Sequence, residues 1–345
     1  MQRLRRVLPC FTLITLQFIG LAVVSVRGAE EGGGDLFQAD FDSDTTGAWI
    51  VNQTPFGLNA ADFFFDYSTV GIEPAPNPLG VLGTTRGLKM GVNLDPLGSG
   101  GPAPVINVSP IGQFFDGDYE VRFDWWTNYI GPLDFGAFGS TNLSTFGIMT
   151  SGVQPPFPNT IDSITFAAAG DGQSATDFRI TSPERVFGGY VPNSMNPLDA
   201  NATFLAGSRQ STALLYGEAF PSVLAPLTQE ILYPTQFGVT QPGTPGFRWN
   251  EVVIRKEGAE VTWTVNGVLL AVVNLAAQTV PTGGGNILFG HADVNGSTSS
   301  DPFYADLNFT LIDNVVVRVV PEPTALMLAT TAAIAACALR RRYNG

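Results

Sequence analysis

In the stretch Tyr119-Glu120-Val121-Arg122-Phe123-Asp124-Trp125-Trp126 apolar and charged residues alternate. A period of two sends Glu120, Arg122, Asp124 and Trp126 to one face of a strand and Tyr119, Val121, Phe123 and Trp125 to the other. Two carboxylates on one face raise the question of glycosidic-bond cleavage, for which retaining enzymes hold their pair about 5–5.5 Å apart. Glu120 and Asp124 are four residues apart, roughly 13 Å along a regular strand. They read as solvent-face charges. Trp126 suits a different chemistry: a ring among polar groups stacks on a pyranose while Arg122, Asp124 and Asn128 bond its hydroxyls. The alternative packs that ring beneath the long segment 181–247. Trp263, in phase with Val261 and Val265, reads as core.

His291 is the single histidine. A Ser-His-Asp hydrolase would have to be built on it, and a zinc site would need several other ligands. The chain has no Gly-x-Ser-x-Gly or His-Glu-x-x-His sequence, so His291 reads as a strand-end or loop residue. Oxygen-rich stretches are better represented. Asp293, Asn295 and Asp301 lie within one Asn-, Ser- and Gly-rich stretch, and Ca2+ takes six to eight oxygens from such side chains and backbone carbonyls. A structural Ca2+ is expected there. Asp40-Phe41-Asp42-Ser43-Asp44-Thr45-Thr46-Gly47 has a similar look, but Thr45 and Val51 stand where an EF-hand needs Gly and Glu. Turn formation alone also explains both clusters.

The chain of 345 residues carries 17 basic and 30 acidic residues, and seven of the basic ones lie in the two terminal segments. From Ala29 to Val320, ten basic residues face 29 acidic ones, a net charge of −19. That field repels phosphates and anionic head groups, which sets nucleic acid aside and leaves cations and neutral sugars. Both cysteines, Cys10 and Cys337, also fall in the terminal segments. The body therefore has neither a disulfide nor a thiolate metal site.

Between residues 29 and 319 the chain is punctuated by Gly and Pro, with short alternating segments and no long helical run, which predicts a single all-β sandwich. Gly87–Leu94 phases as one strand. Arg248–Leu270 reads as a three-stranded meander turning at Lys256–Gly258 and at Asn266-Gly267, a dipeptide that accepts the positive φ of a type I′ turn. A strand is expected over Asn286–Gly290, and a long, mostly buried one over Asn308–Val319. Residues 181–247 interrupt the pattern as a loop-rich elaboration, with a short helix over Ser211–Glu218.

This series, a Trp-led strand, a hairpin, Val265-Asn266-Gly267 and Ile312-Asp313-Asn314-Val315, resembles the C-terminal half of the concanavalin A-like lectin/glucanase (laminin-G-like) jelly roll. Phe41-Asp42-Ser43-Asp44 and Phe65-Asp66-Tyr67-Ser68 resemble its entry strands. The resemblance implies a jelly-roll β-sandwich with a structural or carbohydrate-interacting role. A divergent glycoside hydrolase or lyase is the alternative. The Glu-x-Asp-x-x-Glu strand of the glucanase relatives is absent.

The ends read as addresses. Residues 1–28 have a basic start (Arg3, Arg5, Arg6), an apolar stretch Val7–Val26 and small residues before Ala29, the parts of a cleaved signal peptide. At the other end, Pro321-Glu322-Pro323, the apolar run Ala325–Leu339 and Arg340-Arg341-Arg342 resemble the bacterial PEP-CTERM sorting signal of residues 320–345. A C-terminal transmembrane helix with its arginines cytoplasmic would face the body outward. The resemblance implies an exosortase-type enzyme as partner, and delivery to the cell envelope or extracellular matrix.

Overall fold

The computed structural model describes residues 34–55, 57–76, 83–94, 104–133, 142–153, 162–172, 174, 176–183, 202–294 and 302–320. The signal peptide, the sorting signal with Pro321, Glu322, Pro323, Arg340, Arg341 and Arg342, and the residues Asn295 and Asp301 lie outside them. Among the described residues no helix is long and apolar enough to cross a membrane.

Two antiparallel sheets face each other. One runs β10 (Ala202–Phe204), β13 (Val268–Asn274), β12 (Glu260–Val265), β11 (Asn250–Glu257), β6 (Tyr119–Asn128), β15 (Phe309–Val319), β4 (Arg86–Gly91), β3 (Ala60–Asp66), and β1 (Asp35–Ala39) also pairs with β15. The other runs β2 (Trp49–Gln53), β5 (Val105–Pro110), β14 (Asn286–Asp293), β7 (Asn142–Thr150), β8 (Ile164–Ala169), β9 (Phe178–Thr181). The expected all-β sandwich is what the chain forms.

Alternation explains where the core sits. Tyr119, Val121, Phe123 and Trp125 of β6 point inward and are buried with Phe146, Phe166, Phe289 and Trp263. The sheets are keyed by aromatic edges: Phe146 of β7 lies 5.0 Å from both Phe123 and Trp125 of the opposite sheet. The meander turns where the residue types demand it, with Gly258 at φ 55° and Asn266 and Gly267 at φ 52° and 78°. There Asn266-Gly267 joins paired Val265 and Val268.

Two short helices, α1 (Leu214–Ala219) and α2 (Leu227–Leu232), belong to the segment between β10 and β11. Tyr216 of α1 stacks on Phe178 at 3.8 Å and closes one end of the core. Ala225, Phe247 and Trp249 from the same segment pack with Trp126 and Leu311, covering the outer face of the first sheet. A buried amide chain pins this cover: Gln229 Nε2 donates to Asn128 Oδ1 at 3.1 Å, and Gln236 Nε2 donates to Gln229 Oε1 at 3.1 Å.

Because Phe146 touches both sheets, Phe146→Ala should lower stability by about 3–5 kcal/mol in chemical denaturation. A loss below 1 kcal/mol would mean that the aromatic contact does not join the sheets.

Candidate functional site

The outward face of β6 meets β11 on one side and β15 on the other. Arg122 lies between two acids, with Nη1 2.7 Å from Glu251 Oε1 and Nη2 3.1 Å from Glu120 Oε1; its side chain is 34% exposed. Asp124 sits opposite Glu251 of β11 and opposite Asp313 of β15. Directly paired residues bring their Cβ atoms to about 4.5–5.5 Å, so two carboxyls share one patch.

Both are buried, Asp124 at 2% exposure and Asp313 at 3%. Loss of water, with the charge of Glu251 adding, pushes Asp124 up to about 7 against the lowering effect of its Asn314 hydrogen bond. Burial pushes Asp313 up to about 8, the charges of Asp124 and Asp42 adding to it. A register shift between Asp313 and Val316 bulges β15 and leaves Asn314 at φ 51°, where its Nδ2 donates to Asp124 Oδ2 at 2.8 Å. Asn314 N–H donates to Asp313 Oδ1 at 2.7 Å.

Tyr67, in the 3-10 turn Tyr67–Val70, completes the patch. Its hydroxyl oxygen lies 3.1 Å from Asp313 Oδ2, 3.0 Å from the Thr84 carbonyl and 3.1 Å from the Ala75 N–H that donates to it. One phenol proton cannot serve two acceptors at full strength. A protonated Asp313 resolves the conflict, donating to the phenol oxygen while Tyr67 donates to Thr84. The geometry thus agrees with a raised Asp313 pKa.

Trp126 is 4% exposed, and its ring is met edge-on by Trp249 at 5.7 Å and Phe247 at 6.5 Å. Its Nε1–H donates to Asn128 Oδ1 at 3.2 Å. The cover from the long segment, the alternative reading of this ring, is what the structure has. Trp249 remains half-buried, edge-on to Tyr67 at 5.2 Å. Of the three residues expected to contact ligand, Arg122 alone keeps an open side chain, Asp124 having turned into the Asp313 pair.

Of the residues expected to hold a metal, Asp293 is described, while Asn295 and Asp301 lie outside the described residues. Strand β14 extends to Asp293, its last residue, so His291 and Asp293 are buried residues of the strand and its end, and neither lies in a loop. Ile287, Phe289, His291 and Asp293 alternate in one phase, a signal outweighed in sequence by the Asn-Gly-Ser stretch that follows. His291 Nδ1 lies 2.8 Å from Thr310 Oγ1, and burial pushes the imidazole down to about 3. Among the described residues no group of three or more His, Cys, Asp or Glu side chains is placed to hold a metal. The acidic stretch at Asp40–Gly47 forms turns: Asp40 Oδ1 accepts from Asp42 N–H, and Asp44 Oδ1 accepts from Thr46 N–H.

No family model and no curated protein matches the chain. Among solved structures, the chain is similar to a protein of unknown function with a galectin-like fold from Bacillus subtilis, at 9% identity and TM-score 0.35, covering 84% of this chain and 100% of that one. The Ca2+-bound exoplasmic/lumenal domain of VIP36 aligns at 7% identity and TM-score 0.38 over 83% and 90% of the two chains. A Bacillus licheniformis β-glucanase aligns at 10% identity and TM-score 0.37 over 84% and 99%.

The acid pair sets a pH dependence opposite to that of ordinary salt-bridged carboxylates. Asp124 and Asp313 keep their protons in the fold after the unfolded chain has lost them. Their contribution is complete below the usual carboxylate range and is lost as pH rises through about 7 and 8. His291 acts oppositely, its contribution being complete above the usual imidazole value and lost as pH falls toward about 3. Above pH of about 6.5 the contribution of His291 no longer changes, while that of the acid pair still falls, at up to about 1.4 kcal/mol per pH unit for each group. The melting temperature should fall between pH of about 6.5 and 8.5, and Asp313→Asn should flatten that fall. An unchanged slope in the variant would show that the pair is not protonated in the fold.

Proposed function

We propose that the protein is an exported component of the cell envelope or extracellular matrix, whose concanavalin A-like jelly-roll body acts without catalysis as a structural or carbohydrate-interacting module. The signal-peptide-like start and the PEP-CTERM-like tail support the destination, and they imply handling by an exosortase-type enzyme. The observation that carries the non-catalytic reading is the state of Asp124 and Asp313. Hydrolysis needs an ionised carboxylate and an acid that both reach the glycosidic bond. These two are sealed, raised together, and committed to Tyr67 and Asn314. Sugar contact falls instead to groups with open surface beside them, Arg122 and the half-buried Trp249.

A second reading, a glycan-cleaving hydrolase or lyase on the same fold, draws on one observation: the two carboxyls lie side by side in register on β6 and β15, with pKa values raised into the range of a general acid.

Purified protein incubated with a panel of insoluble polysaccharides should be retained on at least one without releasing reducing sugar. Arg122→Ala and Trp249→Ala should each weaken retention several-fold, whereas Trp126→Ala should act on stability. Sugar release abolished by Asp124→Asn or Asp313→Asn would sink the non-catalytic reading, and absence of retention on every polymer would sink the carbohydrate one.

A further inference from the structure

Helix α2 is amphipathic the wrong way round. Its Gln229 is fully buried, and Nε2 donates to the Val70 carbonyl and to Asn128 Oδ1 beneath it. Two residues turn a helix by about 200°, so Leu227 and Ile231 fall on the side opposite Gln229 and nearly above one another. They are 71% and 72% exposed. A surface helix ordinarily buries its aliphatic stripe and shows its amides to water. Here the stripe points outward, and the buried amides that pin the cover are what fix that direction.

The flanks of α2 enlarge this surface. Leu232 of the helix is exposed, as are Leu224 before it and Phe237 and Val239 after it. Leu224 and Val239 are bridged antiparallel, and residues paired in this way point to one side. Six large apolar side chains thus lie open within the sixteen residues 224–239. Exposed apolar residues scattered singly are ordinary, whereas a group of this kind marks an interaction surface.

Charge decides what fits it. From Ala219 to Phe247 the chain has one charged residue, Glu230, and neither Lys nor Arg, while the other 28 of the body's 29 acidic residues lie elsewhere. Two copies of so acidic a body repel each other, and through this cover they meet almost without opposed carboxylates. A bilayer is a poorer match, because an apolar surface that lies among head groups carries Lys and Arg beside it. A sugar is a poorer match too, since pyranose rings stack on aromatic faces rather than on Leu and Ile.

We propose that the protein self-associates through this cover, two copies packing α2 against α2 about a two-fold axis. Such an axis sets one patch against itself, so an uncharged aliphatic patch is self-complementary by symmetry. The cover is held in place before it binds, which keeps the ordering cost of association low. Between residues 221 and 242, eighteen residues keep surface, against about 20–30 a side in a standard interface. The dimer therefore belongs at the weak end and dissociates on dilution in the micromolar range. The inference is independent of the carbohydrate reading, which places its contacts at Arg122 and Trp249.

The test follows the purified full chain by sedimentation velocity across the micromolar range. It should pass from monomer to dimer, and NaCl should strengthen the dimer by screening the two acidic bodies. The double variant Leu227→Glu, Ile231→Glu sets like charges across the contact and should weaken association by about tenfold or more. Leu227→Ser with Ile231→Ser adds no charge and should weaken it several-fold. Both positions are exposed, so the melting temperature of the dilute monomer should stay unchanged in each variant. A monomer at every concentration overturns the proposal, and if the variants then abolish binding to phosphatidylcholine vesicles, the patch belongs to lipid. A dimer that both double variants leave intact also overturns it, because association then runs through the terminal apolar segments or another surface. So does a dimer that NaCl dissociates.

Discussion

The pairing of β6 with β15 is the constraint on which the rest depends. Strand β6 has one backbone and two environments: its inward residues meet Phe146 and Phe289 in the core, and its outward residues meet Asp313, Glu251 and the aromatic cover. A slip of one residue against β15 would drive Arg122 and Asp124 into the core and expel Phe123 and Trp125. Aromatic volume on one side and charge on the other make that slip prohibitive. The bulge at Asn314 is compatible with this register because it falls where β15 changes neighbours. Residues 310–312 pair with β4, and residues 315–318 pair with β1.

Covering a sheet face that carries carboxyls and amides requires that the cover bring hydrogen bonds of its own. The segment between β10 and β11 does so with uncharged groups. Gln229 reaches both the Val70 carbonyl and Asn128, and Gln236 reaches the Tyr129 carbonyl. Trp249 donates its Nε1–H to the Glu73 carbonyl. Amides are suited to the task because they carry donor and acceptor together and need no counter-ion. In a body so rich in acids and so poor in bases, further carboxylates under the cover would have no cation to meet. Burial of Asp124 and Asp313 there raises their pKa values and so favours the protonated, uncharged form.

Local periodicity made much of the fold legible. The inward set of β6, the turns at Gly258 and Asn266-Gly267, and the buried character of β15 follow from residues a few positions apart. The candidate site did not follow, because its parts are far apart in the chain. Nothing near Asp124 announces that Asp313 will lie opposite it, and nothing near Trp126 announces Phe247 and Trp249 as its cover. A trace existed: Asp313-Asn314 interrupts the apolar run of β15, and two polar residues in a strand buried on both sides must find partners. Asp293 is hidden for a different reason. The turn-forming residues that follow it in sequence mask its phase with Phe289 and His291.

The interior holds one more directional contact whose consequence reaches both sheets. Ser144 of β7 and Thr310 of β15 approach to 2.6 Å between hydroxyl oxygens, and His291 of β14 meets the same threonine. Apolar packing of aromatic rings accepts small sliding of one sheet over the other, because dispersion is short-ranged but weakly directional. Hydroxyl and imidazole groups do not accept it, since a displaced Thr310 would leave two buried partners unsatisfied at about 1–3 kcal/mol each. A charged imidazole at this depth would bring a desolvation cost, so the contact favours a neutral ring. Burial that lowers the His291 pKa keeps the ring in the form that the inter-sheet bond needs. The same low-polarity surroundings that keep Asp313 protonated on the outer face keep His291 unprotonated inside, and in both places the fold favours the form without charge.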